Sequence, residues 1–246
     1  MDAVNFSPGI VADLHGPLRP VTQDPEPYAA FVEECGGPAL ELGCGDGDPL
    51  LDLCKRGLDV EGVDSSADMI ERCRRRAREQ RLRVVLHHQR IESLHLACRY
   101  RAIFLAGPTF NLLPDDPTAI AALRGIRGHL GEGGTALVPL FAPRPTAADD
   151  IGQVRVATAG DGAELRVSVL SEDRNETERT QTTLLRYERH HNGRSTVVDR
   201  PWVLHWHTPE SFEDLAAAGG LVVTSMEQTP GSAVQRYRLR AARSAG

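Results

Sequence analysis

The residues of this chain best suited to bind a ligand are three alternating glycines and an aspartate that follows them. Gly43, Gly45 and Gly47 come after the largely apolar run 39–42, and Asp64 ends the next apolar run. Glycine lets the backbone approach a ligand closely and permits positive φ, and a carboxylate at a strand end can accept hydrogen bonds from ribose hydroxyls. The pattern predicts one βαβ unit with a nucleotide-sized ligand at its turn.

The spacing of the glycines distinguishes two classes of cofactor. A dinucleotide site usually has the pattern G-x-G-x-x-G, with a pyrophosphate at the helix N-terminus, whereas the glycines here alternate as G-x-G-x-G. Asp46 and Asp48 would lie beside that pyrophosphate, and charges of like sign repel. Beside a sulfonium and an ammonium these carboxylates are acceptable, as is Glu41. The chemistry favours S-adenosylmethionine over NAD.

Three segments carry recognisable motifs. Residues 41–47 read ELGCGDG, residues 62–69 read GVDSSADM, and residues 130–135 read LGEGGT. They resemble, in order, the first and second motifs of class I S-adenosylmethionine-dependent methyltransferases of the small-molecule type and the glycine turn before their fifth strand. The resemblance covers about residues 36–140 and resumes near Thr208. The alternative is a glycine turn that holds no ligand.

The resemblance implies a set of cofactor contacts. Gln89 stands where the family often has an acidic residue that meets the adenine amino group, and an amide accepts that bond only with its oxygen turned inward. Met69 is expected beside the adenine, although a core methionine would occupy the same position. The full predicted set is Glu41, Gly43, Cys44, Gly45, Asp64, Ser65, Met69, Gln89, Arg90, Ile91, Ala106 and Gly107.

The acceptor side is predicted from fewer residues. In similar methyltransferases an N-terminal segment lies over the cofactor, so His15 and Tyr28 are candidates to face the substrate, with plain packing as the alternative. Asn111 offers an amide in the loop after the fourth strand, and Trp202 is a candidate for either substrate contact or packing. That loop lacks the Asn/Asp-Pro-Pro-Tyr/Phe box of nucleic-acid and protein amide methyltransferases, which counts against a DNA or glutamine substrate.

Two histidines near the end of the last inserted strand are the candidate catalytic bases. The last inserted strand is expected at 196–207, where alternation places His205 and His207 on one face with Val203. A histidine there could receive the acceptor's proton, because its pKa suits neutral pH. The alternative is a pair of partly exposed strand residues that precede the helix starting at Thr208. No third ligand is evident nearby, so no metal is expected.

Composition bounds the class of protein. A chain of 246 residues suits one α/β domain with an embellishment, and its net charge of -6 argues against nucleic acid as the main partner. No apolar run approaches the ~18 residues of a membrane span, and the N-terminus resembles no secretion signal. Five cysteines without a C-x-x-C pair predict reduced thiols in a cytoplasmic protein. The arginine-rich run 72–83 is expected to be a solvated helix, and the preference for arginine over lysine suggests a bacterial source.

The patterns divide the chain into four parts. Residues 1–35 form an N-terminal helical cap, 36–141 a Rossmann-like core, 142–207 an antiparallel β insertion, and 208–246 the C-terminal part of the core sheet. Together they predict an α/β fold with a seven-stranded doubly wound sheet and an inserted antiparallel β-sheet of about four strands. The third core strand is expected at 82–86. In similar methyltransferases such an insertion covers the acceptor pocket or forms a dimer surface.

The sequence thus predicts a methyltransferase that moves a methyl group from S-adenosylmethionine to an N or O nucleophile of a small molecule, as in natural-product biosynthesis, and releases S-adenosylhomocysteine. The expected partners are the small-molecule acceptor and a second copy of the chain through the β insertion, without nucleic acid or membrane. Two alternatives remain open. One is a non-catalytic S-adenosylmethionine-binding regulator or partner subunit, and the other is an NAD-linked oxidoreductase.

Overall fold

A computed structural model describes residues 23–228 and 233–242. Its contacts divide the chain into two compact units, and the boundary falls close to the predicted ends of the insertion. One, here called the core unit, contains Gln23–Ala142 and the described residues from Trp206 onward, and the other, the β unit, is Pro143–His205. His15, a candidate for the acceptor side, lies outside the described residues.

The core unit is a seven-stranded mixed sheet. Its strands lie in the order β10-β11-β5-β4-β1-β2-β3. Strands β1 to β5 are parallel to one another, and β11 is antiparallel to both β5 and β10. This arrangement confirms the predicted Rossmann-like sheet. The bounds are β1 Ala39–Leu42, β2 Val60–Asp64, β3 Leu86–His88, β4 Tyr100–Leu105, β5 Leu130–Phe141, β10 Leu221–Gln228 and β11 Val234–Ala241.

Alternating strand residues bury against helices on both faces of this sheet. Ala102 and Phe104 of β4 pack in one apolar cluster with helices α1 to α3, while Ile103 and Leu105 pack in a second cluster with α4 and α5. A parallel sheet needs this double cover, because both of its faces are apolar. The bounds are α1 Glu26–Cys35, α2 Leu50–Lys55, α3 Ala67–Glu79, α4 Asp116–His129 and α5 Pro209–Ala218. In the described part of the chain, no helix is long and apolar enough to cross a membrane.

Side chains fix the helix starts that lie near the site. Ser66 caps α3 by accepting the Met69 N–H through its hydroxyl, and Asp115 caps α4 in the same way at Thr118. Thr208 and Ser211 form a reciprocal capping box at the start of α5. Each cap satisfies backbone donors that would otherwise lack a partner in the first helical turn. The sequence predicted the start of α5 at Thr208 correctly.

The third core strand lies later than predicted. The expected strand at 82–86 is a connection followed by β3 at Leu86–His88. The Leu82 N–H still bonds to the Ala77 carbonyl at 2.9 Å, and Arg81 has φ of 57°, so this stretch closes the end of α3. The chain therefore reaches the edge of β2 only at Val85 and Leu86. The Val85 carbonyl accepts the Gly62 N–H at 2.9 Å, and Leu86 pairs with Gly62.

The glycine-rich turn predicted at 130–135 belongs to β5. Leu130 already pairs with Tyr100, and the register then shifts so that Thr135 pairs with Ala102. The glycines between them are the irregular part of that pairing. Glycine suits such a bulge because no Cβ crowds the neighbouring strand, and a Cβ on Gly134 would lie 2.9 Å from the Tyr100 carbonyl oxygen.

The β unit is an antiparallel meander of four strands in sequential order. The strands are β6 Val154–Thr158, β7 Glu164–Asn175, β8 Thr180–His191 and β9 Arg194–His205. The turns that follow β6 and β8 contain glycine, at residues 159–163 and 192–193. The turn between β7 and β8 lies at 176–179, because these strands remain paired to Asn175 and Thr180. A small apolar cluster around Leu165 and Ala163 is the core of this unit.

Candidate active site

The sheet order places a crevice at the carboxyl ends of β1 and β4. The chain proceeds from β1 outward to β2 and β3 on one side, and β4 lies on the other side of β1. Ligands of open α/β sheets bind at such a topological switch point. Two loops leave the sheet at this edge, the glycine loop (43–49) after β1 and the β4 loop (106–113) after β4. The end of β2, at Asp64, lies next to the glycine loop.

The three glycines of the glycine loop serve different purposes. All three have positive φ, of 75°, 54° and 97° in chain order. A Cβ on Gly43 would overlap the Thr109 side chain, and a Cβ on Gly47 would lie 2.7 Å from Leu51 Cγ. Among the described residues, no atom lies within 4 Å of a Cβ built on Gly45. Gly45 thus opens onto free space in this part of the chain, whereas packing requires a glycine at Gly43 and Gly47. Close approach of a ligand to Gly43 and Gly45 remains a prediction.

Asp64 is fixed beside that open position. Its Oδ2 accepts the Gly45 N–H at 2.8 Å, and its Oδ1 accepts the Ser66 N–H at 2.8 Å. Burial raises the pKa of Asp64, and these backbone donors oppose the rise. Each carboxylate oxygen has a second lone pair, so the carboxylate can accept further bonds from a ligand. Contact with a ribose remains a prediction that this geometry permits.

Asp46 does not act as the sequence argument assumed. Its carboxylate lies 2.8 Å from the Arg76 guanidinium, which also donates to the Asp46 carbonyl at 3.0 Å. The charge that was expected to repel a pyrophosphate is therefore largely compensated by α3. The electrostatic argument against a dinucleotide is weaker than the sequence suggested, and the open space at Gly45 becomes the stronger observation.

Glu41 and Cys44 lie beneath the glycine loop. Both side chains are buried, Glu41 within β1 and Cys44 directly after it. A Cβ on Gly62 would lie 2.8 Å from Cys44 Sγ, so the thiol fills the space between β1 and β2. Burial raises the pKa of Cys44 well above its ordinary value. The thiol therefore stays protonated, and any cofactor contact from Cys44 would come from its backbone.

The predicted adenine side is engaged in local contacts. The Gln89 amide donates to the His95 carbonyl at 2.9 Å and accepts the His95 N–H at 2.8 Å. Arg90 pairs with Glu92, and Ile91 packs against the apolar core. Beyond these two bonds, the Gln89 amide keeps one N–H donor and one oxygen lone pair. The roles predicted for residues 89–91 therefore remain predictions.

Two further predicted contacts flank the start of α3. Met69 is buried in the first turn of that helix, and its N–H is held by the Ser66 hydroxyl at 3.3 Å. The Ser65 carbonyl is 3.0 Å from His88 Nε2. Ser65 directly follows Asp64, and Ser66 links Asp64 to Met69 because its N–H donates to Asp64 and its hydroxyl accepts the Met69 N–H. The contact of Met69 and Ser65 with a cofactor is a prediction.

The β4 loop is held by residues far away in the sequence. The Gly107 N–H donates to the Tyr28 hydroxyl at 3.3 Å, and Tyr28 stacks on Phe104 with ring centroids 5.4 Å apart. Burial raises the pKa of Tyr28. The Ala106 carbonyl accepts the Thr109 hydroxyl at 2.8 Å. Tyr28 thus has a packing role that the sequence left open, and its phenol lies at the predicted methyl-transfer end of the crevice.

Part of this geometry is similar to a known family. Residues 39–134, from β1 into β5, match the family model described as "Methyltransferase domain". No curated protein matches the sequence.

Solved structures share the fold of this segment and of most of the remaining chain. The CcbJ methyltransferase from Streptomyces caelestis is 24% identical, with a TM-score of 0.77, and the match covers 99% of this chain and 100% of that one. The sugar N-methyltransferase KedS8 from Streptoalloteichus is 17% identical, with a TM-score of 0.75 and coverage of 97% and 94%. The amino pentose methyltransferase CalS10 from Micromonospora echinaspora, solved with S-adenosylmethionine bound, is 17% identical, with a TM-score of 0.65 and coverage of 87% and 88%.

Asn111 of the β4 loop has a structural role. Its side chain is completely buried, donates to the Phe141 carbonyl at 3.0 Å and accepts the Phe141 N–H at 3.2 Å. An amide paired in this way extends the bonding of β5 into the β4 loop. Its predicted contact with the acceptor remains a prediction, whereas its role in fixing the loop is observed.

The two candidate bases are buried. His207 lies in the core unit, with its ring centroid 5.6 Å from that of Phe110 and its Nδ1 4.0 Å from the Asp116 carboxylate. The side chain of His207 has no exposure, and His205 at the end of β9 is also buried. The alternative of partly exposed strand residues is therefore wrong. A role as base remains a prediction, and it requires that a bound acceptor reach an enclosed ring.

Trp202 belongs to the β unit and lies opposite Thr183 on the neighbouring strand, half-buried. Its predicted substrate contact stays untested.

Sequence reasoning missed three residues that shape the site, namely Gln23, Arg76 and Thr109. Thr109 could have been found from its place in the β4 loop, whereas no local signal distinguishes Gln23 from other glutamines or Arg76 from the arginines around it.

Proposed function

We propose that the chain is an S-adenosylmethionine-dependent methyltransferase that acts on an N or O nucleophile of a small molecule. The observation that carries this proposal is the free space above Gly45, next to the fixed carboxylate of Asp64 and at the switch point of the sheet. A ribose suits the carboxylate, and a backbone without a Cβ suits close approach of the ligand. The match of this segment to a methyltransferase domain supports the same conclusion.

The protein's contribution would be mainly positional. S-adenosylmethionine supplies an activated methyl group when it is bound. Asp64 would hold the ribose, the backbone at Gly45 would support the middle of the ligand, and Ala106 with Gly107 would border its reactive end. Holding a nucleophile in line and excluding water accounts for much of the acceleration in such a displacement. An amine or hydroxyl acceptor must also lose a proton, for which His205 and His207 remain the candidates.

The first acceptors to test are amino sugars. Two proteins that share the fold are described as a sugar N-methyltransferase and an amino pentose methyltransferase. The absence of the Asn/Asp-Pro-Pro-Tyr/Phe box from the β4 loop agrees with a small acceptor. We further propose a cytoplasmic location, in keeping with five free cysteines, and a homodimer formed through the β unit.

Calorimetric titration separates the candidate functions. Binding of S-adenosylhomocysteine but not NADH would support the proposal, whereas the reverse would favour an oxidoreductase. Methyl transfer from labelled S-adenosylmethionine to a panel of amino sugars, other amines and phenols would then establish catalysis. Binding without transfer to any acceptor would favour a regulatory module. Sedimentation of the purified protein tests the homodimer.

A further inference from the structure

Gln23 lies across the crevice between the two loops. Its main-chain N–H donates to Asp48 Oδ2 in the glycine loop at 3.3 Å. Its side-chain amide packs against the β4 loop, because a Cβ on Gly107 would lie 3.1 Å from Gln23 Nε2. Gln23 therefore touches both walls of the crevice at the carboxyl ends of β1 and β4. A residue in that position must meet whatever fills the crevice between the loops.

The order of the strands indicates which part of the ligand reaches Gln23. Asp64, Gly45 and Gly107 stand at the ends of β2, β1 and β4, which are consecutive in the sheet. A ligand with its ribose at Asp64 that passes over Gly45 therefore brings its opposite end to Gly107. In S-adenosylmethionine that end is an amino acid, with one carboxylate and one ammonium.

The chemistry of Gln23 suits an amino acid zwitterion. A carboxamide has two N–H donors for a carboxylate and one carbonyl acceptor for an ammonium. Two nearby backbone donors already have acceptors, since the Gln23 N–H bonds to Asp48 and the Gly107 N–H bonds to Tyr28. Among the described residues beside the β4 loop, the Gln23 amide can therefore bond to both the carboxylate and the ammonium of an amino acid.

We infer that Gln23 recognises the amino acid end of the cofactor, with its side-chain amide bonded to the methionyl carboxylate or ammonium. This inference rests on the proposed function. Nothing in the family motifs points to Gln23, and its assignment comes from its contacts with Asp48 and Gly107. Gln23 is a binding residue in this account and takes no part in proton transfer.

Two ligands that differ only at the amino acid end provide the test. S-adenosylhomocysteine contains the amino acid, whereas 5′-methylthioadenosine keeps the adenosine and the sulfur but lacks it. Gln23→Ala should weaken S-adenosylhomocysteine about 10-fold or more, the range of a hydrogen bond to a charged group. The same variant should change methylthioadenosine affinity by less than about two-fold. Gln23→Glu places a carboxylate at the same position. It should change the ratio of S-adenosylhomocysteine affinity to methylthioadenosine affinity more than Gln23→Ala does.

The control variant is Gln153→Ala, because that glutamine is exposed in the β unit and its amide bonds only to the nearby Asp149 carbonyl among the contacts of the described residues. Its affinities should match those of the wild type. An equal loss of both ligands in Gln23→Ala would mean that Gln23 supports the loops and would overturn the inference, as would unchanged binding of both. If the wild type itself fails to bind S-adenosylhomocysteine, the proposed function fails instead. The two failures are therefore distinguishable.

Discussion

The glycine loop and the β4 loop form the two sides of one crevice, but different parts of the chain hold them in place. The glycine loop is fixed by Asp64 and Arg76, which lie in the strand and helix that follow it. The β4 loop is fixed by Tyr28, from a helix before the first strand, and by pairing of Asn111 with Phe141. A compact sequence motif thus encodes one side of the site, and only the completed fold assembles the other side.

The comparison predicts that neighbouring glycines will fail in different ways. Gly47→Ala should cost about 2–4 kcal/mol of unfolding free energy, because the methyl meets Leu51 and Cys73 at a φ of 97°. Gly45→Ala should cost only about 1 kcal/mol yet lower S-adenosylhomocysteine affinity at least tenfold, since the methyl enters the free space. Urea unfolding and calorimetry measure the two effects.

Gly57→Ala is the matched control for Gly45→Ala. Gly57 also has positive φ, of 84°, with nothing within 4 Å of a Cβ, but it lies after α2. It should show a similar loss of stability and no loss of affinity. Equal affinities for the Gly45 and Gly57 variants would contradict the view that the space above Gly45 is the ligand site.

Asn111 tests the long-range side of the comparison. Asn111→Ala removes both bonds to the partly buried Phe141 and empties the space of a fully buried side chain, so we expect a loss of about 2–3 kcal/mol in unfolding free energy. Asn175→Ala is the control, because that exposed asparagine caps a surface turn at Glu178 with one bond. It should cost about 0.5 kcal/mol or less. Similar losses for the two variants would show that Asn111 does not secure the β4 loop.

Asp64 should make cofactor binding depend on pH. Burial raises the pKa of Asp64, so its carboxylate takes up a proton at a higher pH than an ordinary aspartate does. Because the ionised form is the better acceptor for ribose hydroxyls, S-adenosylhomocysteine affinity should fall as pH decreases from 7 through the acidic range. Calorimetry across this range measures the fall. Asp64→Asn should bind about 10- to 100-fold more weakly at pH 7 and lose most of the pH dependence.

The same comparison explains what the sequence could and could not reveal. The motif at 41–47 and the acid at Asp64 predicted the sheet and the first side of the crevice, because glycine and carboxylate requirements are local. Gln89 and Asn111 bond instead to main-chain groups of His95 and Phe141. Every residue carries such groups, so the side-chain types of His95 and Phe141 do not identify them as the partners of Gln89 and Asn111.

Burial of the histidines had a similar origin. The alternation of β9 assigned a face to His207, but the strand ends at His205 and the chain then turns into α5. His207 consequently lies among Phe110 and Phe212, which come from the β4 loop and α5. Alternation of side chains between two faces applies only within a strand. Here β9 ends at His205, shortly before the capping box that starts α5.

Substitution of Arg76 should have the smallest effect on stability and affinity, and it tests whether α3 positions the glycine loop. Its guanidinium is partly exposed, so loss of the pair with Asp46 in Arg76→Ala should cost about 0.5–1 kcal/mol of stability. The glycine loop would also lose its bond at the Asp46 carbonyl, and S-adenosylhomocysteine affinity should fall about two- to fivefold by calorimetry. Arg78→Ala removes an exposed arginine of the same helix that contacts Glu71 and should leave affinity unchanged. Equal behaviour of the two variants would mean that α3 does not position the loop, and that the glycines and Asp64 alone set its conformation.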